Sequence, residues 1–153
     1  MPYTIRAAQV ADARLLAAID ASVNSNPRTE PQFVAAFSPG SSSREIALLV
    51  ERDECVSGFV LFSQVMDEAS VHSIAVDPLC QRQGLGQLLL DAALMHMQAA
   101  GATRCLLEVR ESNAPARRLY ERSGFRLDGV RKNYYPASAG REDAMLMSLE
   151  LKG

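Results

Sequence analysis

The sequence predicts one mixed α/β (α+β) domain over residues 1–153. Three observations predict it. The length, 153 residues, is that of one domain at roughly 100–200 residues each. Three closely spaced segments rich in β-branched, aromatic and other apolar residues argue for an antiparallel meander. After Pro78 the rhythm changes to a long helical period, followed by a strand, a helix and two strands.

The elements follow in order. Residues 3–6 read as a short strand. Residues 12–22 read as a helix, with Leu15, Leu16, Ile19 and Val23 at helical spacing, broken at 24–27. Thr29 stands three residues before Gln32, a capping-box spacing, and Pro31 falls in the first turn, where its missing N–H costs nothing. That short helix runs to Phe37, and 39–43 is a turn-rich loop. Residues 45–51, 56–65 and 69–76 are the meander. Asp77-Pro78 ends it, because proline removes a ladder donor and restricts the residue before it. Leu85, Leu88, Leu89, Ala92, Met95 and Ala99 mark an amphipathic helix of about four turns, stopped by Gly101. Residues 104–109 are a strand. Residues 113–123 are a helix, with Asn113 as N-cap, Pro115 in the first turn and Gly124 past the end. Residues 125–135 and 143–151 are the last strands, joined through Pro136 and Gly140, and Met145 and Met147 read as core.

Composition narrows the function. With 48% hydrophobic and 22% charged residues, the chain is not of the disordered class. A net charge of −2 and a pI of about 5.7 argue against a nucleic-acid partner held by a broad basic face. No apolar run approaches the ~18 residues that span a bilayer, and the N-terminus lacks the pattern of a signal peptide. The expectation is a cytoplasmic protein with no membrane partner. Cys55, Cys80 and Cys105 form no Cys-x-x-Cys pair and read as free thiols. His72 and His96 are not spaced as metal ligands, so no metal is expected. His72 could serve as a base, but alone on a half-buried strand it reads as structural; His96 reads as surface or rim.

Three features carry possible chemistry. Gln81-Arg82-Gln83-Gly84-Leu85-Gly86-Gln87 follows a strand and opens the longest helix. Free N–H groups and the positive dipole end of a helix suit an anion, and glycine lets backbone approach it closely. A plain strand-to-helix turn is the alternative. Glu108 lies mid-strand in an apolar segment, sharing a face with Leu106 and Arg110; burial there raises a carboxyl pKa and suits a general base. An ion pair with Arg110 or Arg104, or a solvent-facing position, is the alternative. Tyr120 is protonated at neutral pH and can donate to a leaving thiolate; a core tyrosine with its hydroxyl at the rim is the alternative.

Together these pieces resemble the GNAT N-acetyltransferase superfamily and, within it, the RimI-like group of ribosomal-protein alanine N-acetyltransferases. The carrying residues are Asp67-Glu68-Ala69, Ile74-Ala75-Val76-Asp77-Pro78, Gln81-Arg82-Gln83-Gly84-Leu85-Gly86, Leu107-Glu108-Val109-Arg110, Ser112-Asn113-Ala114, Leu119-Tyr120-Glu121, Gly124-Phe125, Arg131-Lys132-Asn133-Tyr134-Tyr135-Pro136 and Gly140-Arg141-Glu142-Asp143-Ala144. Their order, more than any one motif, is specific.

The resemblance implies a GNAT fold: a mostly antiparallel sheet, helices on both faces, and splayed fourth and fifth strands. It implies acetyl-CoA as co-substrate and the N-terminal segment of a protein, such as a ribosomal protein, as acceptor. The backbone of Ile74, Ala75 and Val76 then pairs with the pantetheine arm. The amides of Arg82, Gln83, Gly84, Leu85, Gly86 and Gln87 hold the pyrophosphate, and Asn113 bonds the cofactor near the arm. Glu108 corresponds to the general base and Tyr120 to the general acid, while a backbone N–H near Val76 steadies the developing oxyanion. Tyr134 and Tyr135, in the loop between the last strands, form one acceptor wall. Residues 24–33, with Pro27, form the other. Here the chain departs from the group, which commonly has aromatic-Pro-Trp where this sequence has Asn26-Pro27-Arg28. Acetylation of a lysine or a small amine is therefore a second reading, and a non-catalytic CoA sensor a third.

Overall fold

The structure, a computed structural model, describes residues 3–40, 44–137 and 140–151; parts of the expected loops at 39–43 and around 136–140 lie outside them. β1 (Thr4–Ala7) leads through a 3-10 turn (Val10–Asp12) into α1 (Ala13–Val23) and α2 (Glu30–Phe37). The meander is β2 (Glu45–Arg52), β3 (Cys55–Val65) and β4 (Glu68–Val76). A second 3-10 turn (Pro78–Cys80) precedes α3 (Leu85–Ala99). β5 (Arg104–Arg110), α4 (Ala114–Arg122), β6 (Arg126–Ala137) and β7 (Gly140–Glu150) complete the chain. The sheet order is β1-β2-β3-β4-β5-β7-β6. Among the described residues, its only parallel pair is β4 with β5.

The caps appear where the residue types demand them. Thr29 accepts from the Gln32 N–H while the Gln32 side chain returns to Thr29, a closed capping box. Asn113 accepts from the Ala116 N–H at 3.3 Å. α3 and α4 end alike: Ala102 N–H donates to the Met97 carbonyl at 2.9 Å and Phe125 N–H to the Tyr120 carbonyl at 3.0 Å, each around a left-handed glycine, Gly101 or Gly124.

Alternation along the strands gives two cores. Ala47, Leu49, Phe59, Leu61 and Ala75 face α1 and α2, where the Phe33 ring meets Phe59 edge-on at 5.6 Å. Leu48, Val50, Val60, Phe62, Leu107 and Val109 face α3 and α4. Two expected helix faces differ. In α1, Leu16 and Ile19 are buried but Leu15 and Val23 are exposed. In α3 the buried stripe is Leu85, Leu89, Leu90, Ala93 and Met97, whereas Leu88 and Met95 face out. This helix is apolar on most sides, so packing against the sheet decides its rotation.

The last two strands also run further than expected. β6 passes through Tyr134 and Tyr135, and Tyr135 pairs with Glu142 of β7. The tyrosines are therefore not in a loop: they follow an irregularity between Arg131 and Tyr135, where Asn133 adopts a positive φ. Met147 is buried and Met145 packs against the core, as the sequence suggested.

Candidate active site

β4 and β5 pair only from Glu68–Arg104 to Val71–Leu107, yet both strands continue, β4 to Val76 and β5 to Arg110. Beyond that last rung the sheet forks. A cleft of about 680 Å³ opens there, lined by Ile74, Glu108, Asn113, Tyr120 and Tyr135 on the fork side and by residues 24–28, Pro27 among them, on the other.

The ladder geometry identifies which backbone groups face the fork. Asp77 N–H donates to the Ser57 carbonyl at 2.8 Å. By the alternation of an antiparallel ladder, Ala75 and Ser73 turn their groups toward β3, and Ile74 and Val76 turn theirs into the fork. Ala75 is thus corrected as a backbone partner; its side chain lies in the core beneath α1 and α2. The Gln81 side chain donates to the Val76 carbonyl at 3.1 Å, leaving the Val76 N–H for a ligand.

Residues 81–87 open α3, as the sequence suggested. Gly84 is the N-cap of α3 with φ 76°, and no side chain caps the helix, so its first-turn N–H groups at Leu85, Gly86 and Gln87 keep outward donors. Arg82 is also left-handed, with φ 68°. Gln83 accepts from the Tyr3 hydroxyl, and Gln87 donates to Asp91 and Ser123. A Cβ at Gly84 meets nothing within 4 Å, but the left-handed backbone disfavours a β-branched side chain by about 1–2 kcal/mol. Gly84→Val is therefore expected to misdirect the start of α3 and to weaken binding of an anionic ligand there about tenfold by calorimetry.

Glu108 differs from expectation. It is exposed, with 36% of its side chain open to solvent, and pairs with Arg131 at 3.8 Å. It is the first β5 residue past the last rung, so its neighbour strand has already departed and solvent reaches it. Neither Arg110 nor Arg104 is its partner: Arg110 bonds Glu142 and the Pro136 carbonyl, both at 2.8 Å, and Arg104 approaches Asp128. Tyr120 is buried at 5% exposure yet lines the cleft, its ring 5.7 Å from Phe125. Burial first, then Cys105 and Tyr135, hold its pKa well above the ordinary phenol value. The phenol therefore keeps its proton throughout the neutral range. Burial likewise pushes the Cys105 thiol up to about 12.

Tyr135 lines the cleft with the Arg110 guanidinium 4.4 Å above its ring. Tyr134 meets Tyr135 edge-on at 5.0 Å, is 41% exposed, and does not line the cleft itself. Glu142 accepts from Arg110 and from the Ser112 N–H, and these donors hold its carboxyl below the usual range. This clamp ties the β6–β7 hairpin to the end of β5.

Two anchors of the opposite wall escaped the sequence reading. Asp20, 2% exposed, accepts from the Arg28 N–H at 2.9 Å and from the Asn24 amide. Glu45 holds the Arg28 guanidinium with both oxygens, at 3.2 and 2.5 Å. The available signal was an aspartate four residues after Leu16, on the buried stripe of α1. Asp20→Ala strands two loop donors at a cost of about 1–3 kcal/mol. The expected outcome is a lower Tm and weaker ligand binding at the wall of residues 24–28, with anion binding at the α3 N-terminus retained. Among the described residues, no group of three or more His, Cys, Asp or Glu is placed to hold a metal.

Comparison with known proteins gives four results. The acetyltransferase (GNAT) family model matches residues 15–125. The ribosomal protein bS18-alanine N-acetyltransferase of Salmonella typhimurium is 39% identical over 121 residues, 79% of this chain and 82% of that protein. The crystal structure of the ribosomal-protein-S18-alanine N-acetyltransferase from Escherichia coli superposes with a TM-score of 0.89 at 34% identity, covering 99% of this chain and 96% of that one. A Salmonella typhimurium acetyltransferase solved with its cofactor acetyl-CoA has a TM-score of 0.83 at 21% identity, a likeness of fold over 98% of this chain and 94% of that one.

Proposed function

The chain belongs to the GNAT family of acetyltransferases, and from that premise we propose that its acceptor is a protein N-terminus, the N-terminal alanine of ribosomal protein S18. It is an N-acetyltransferase that uses acetyl-CoA. The observation that carries the acceptor reading is the forked cleft, where Glu108 and Tyr120 line one space with a wall at residues 24–28. A ribosomal acceptor puts the reaction in the cytoplasm.

Acetyl-CoA supplies the acetyl group as a thioester. The fork-side backbone groups of Ile74 and Val76 would pair with its arm, the α3 N-terminus would hold its pyrophosphate, and Asn113 would offer its side-chain amide. The Val76 N–H would stabilise the negative charge that develops on the carbonyl oxygen. Glu108 takes a proton from the attacking nitrogen, directly or through water, and Tyr120 returns one to the departing sulfur. An α-amine, with a reference pKa near 8, is a modest demand on such a base.

Acetyl-CoA presented with peptides beginning Ala, Ser, Thr and Met tests the acceptor. Preferred turnover of the Ala peptide is expected. Turnover of free lysine or polyamines alone supports the second reading, which the polar Asn26-Pro27-Arg28 wall motivates. A sensor needs neither Glu108 nor Tyr120, and their meeting in one cleft favours an enzyme.

A further inference from the structure

Two protons must leave the nitrogen when an α-ammonium becomes an amide, and the CoA thiolate takes only one. The second goes to solvent unless a group in the cleft takes it, and at pH below the amine pKa a group in the cleft speeds that step. His72 occupies the place for it. It is the extra residue of a bulge in β4, since Leu61 pairs with Ser73 and Phe62 with Val71. The last rung between β4 and β5 is Val71–Leu107, so His72 and Glu108 are the next residues on the two arms of the fork.

A second cavity of about 590 Å³ adjoins the first, and the residues common to both are His72, Glu108 and Tyr135. His72 is therefore reached from the cleft, not enclosed in a core. Ser63 Oγ lies 2.7 Å from its Nε2. With that hydroxyl accepting from Nε2–H, the lone pair sits on Nδ1.

We propose that His72 is a second proton acceptor of the active site, taking the first proton from the acceptor ammonium at Nδ1 while Glu108 takes the second. The N–H bond breaks, its pair stays on nitrogen as the nucleophilic lone pair, and the imidazole becomes imidazolium. Attack on the thioester carbonyl then forms the C–N bond. The remaining ammonium proton goes to Glu108, the C–S bond breaks, and Tyr120 protonates the sulfur. The inference rests on amine acetylation by this site.

The charged and titratable groups lining the two cavities with His72 are Asp20 on α1, Arg28 in the loop, Arg104, Glu108 and Arg110 on β5, Tyr120 on α4, and Asp128, Arg131 and Tyr135 on β6; Glu45 on β2 also acts on the ring electrostatically. Desolvation lowers the imidazole pKa most; Glu45 opposes it and Arg28 adds to it. The net direction is downward, so the ring is neutral at pH 7 and can accept.

The test compares kcat/KM for an Ala-starting peptide in wild type and His72→Gln between pH 6.5 and 9. The neutral fraction of an amine with pKa near 8 rises about 30-fold over that range. A deficit of about 30-fold at pH 6.5 that shrinks below about threefold at pH 9 is expected. An equal deficit at every pH, or none, overturns the proposal. His72→Asn serves if the glutamine variant fails to fold. Imidazole NMR of the free enzyme gives a readout independent of turnover: a His72 pKa below 6.5 supports the role, and one above 7 overturns it. If the wild type acetylates another amine and no peptide, the acceptor reading fails and the same comparison is made on that amine.

Discussion

Glu108→Gln is expected to lower turnover by about 10²- to 10⁴-fold, the scale of a lost general base, with acetyl-CoA affinity nearly unchanged. The argument is positional. Glu108 is the first β5 residue beyond the paired part of the fork, and it lines the cleft with Tyr120 and Ile74. Glutamine keeps the size and leaves Arg131 a neutral acceptor, so the fold has no reason to move. Calorimetry with acetyl-CoA and steady-state kinetics on one peptide separate the two effects. Wild-type turnover in this variant removes Glu108 from its role.

Tyr120→Phe is expected to cost about as much, for a different reason. The ring packs against Phe125, and phenylalanine keeps that packing, so Tm stays close to wild type. What disappears is a hydroxyl whose proton burial holds in place. A raised phenol pKa means the acid form persists as pH rises, and it is lost only well above pH 10. An alkaline fall in kcat below pH 10 therefore belongs to another group. Assayed with an activated thioester whose thiolate needs no proton, the variant should recover most of its rate; failure to recover removes Tyr120 from the role of acid to the leaving sulfur.

Much of this architecture is written in local residue chemistry. The Thr29–Gln32 box, the Asn113 cap, and the glycines after α3 and α4 each stand where a backbone group needs them. What escapes a linear reading is where neighbouring strands part company. β5 looks like a buried strand along its whole length, so Glu108 looks buried; only the pairing shows that β4 leaves after Val71. The bulge at His72 depends on register between β3 and β4, which no single segment encodes. A histidine that looks structural in its own strand thus faces the cleft. The last strands reach Ala137 and start again at Gly140, beyond the expected bounds of 135 and 143, where the Arg110–Glu142 clamp holds the hairpin to β5, a contact between distant segments.

The anchors of the amine-side wall, Asp20 and Glu45, lie on α1 and β2, whereas the thioester side is built from β4 and two helix starts. The two halves share a floor but not their supports. With residues 24–28 as the acceptor wall proposed above, exchange of that one short segment is expected to shift which amine is accepted while leaving the hold on the acyl donor intact: a replaceable jaw on a fixed vice.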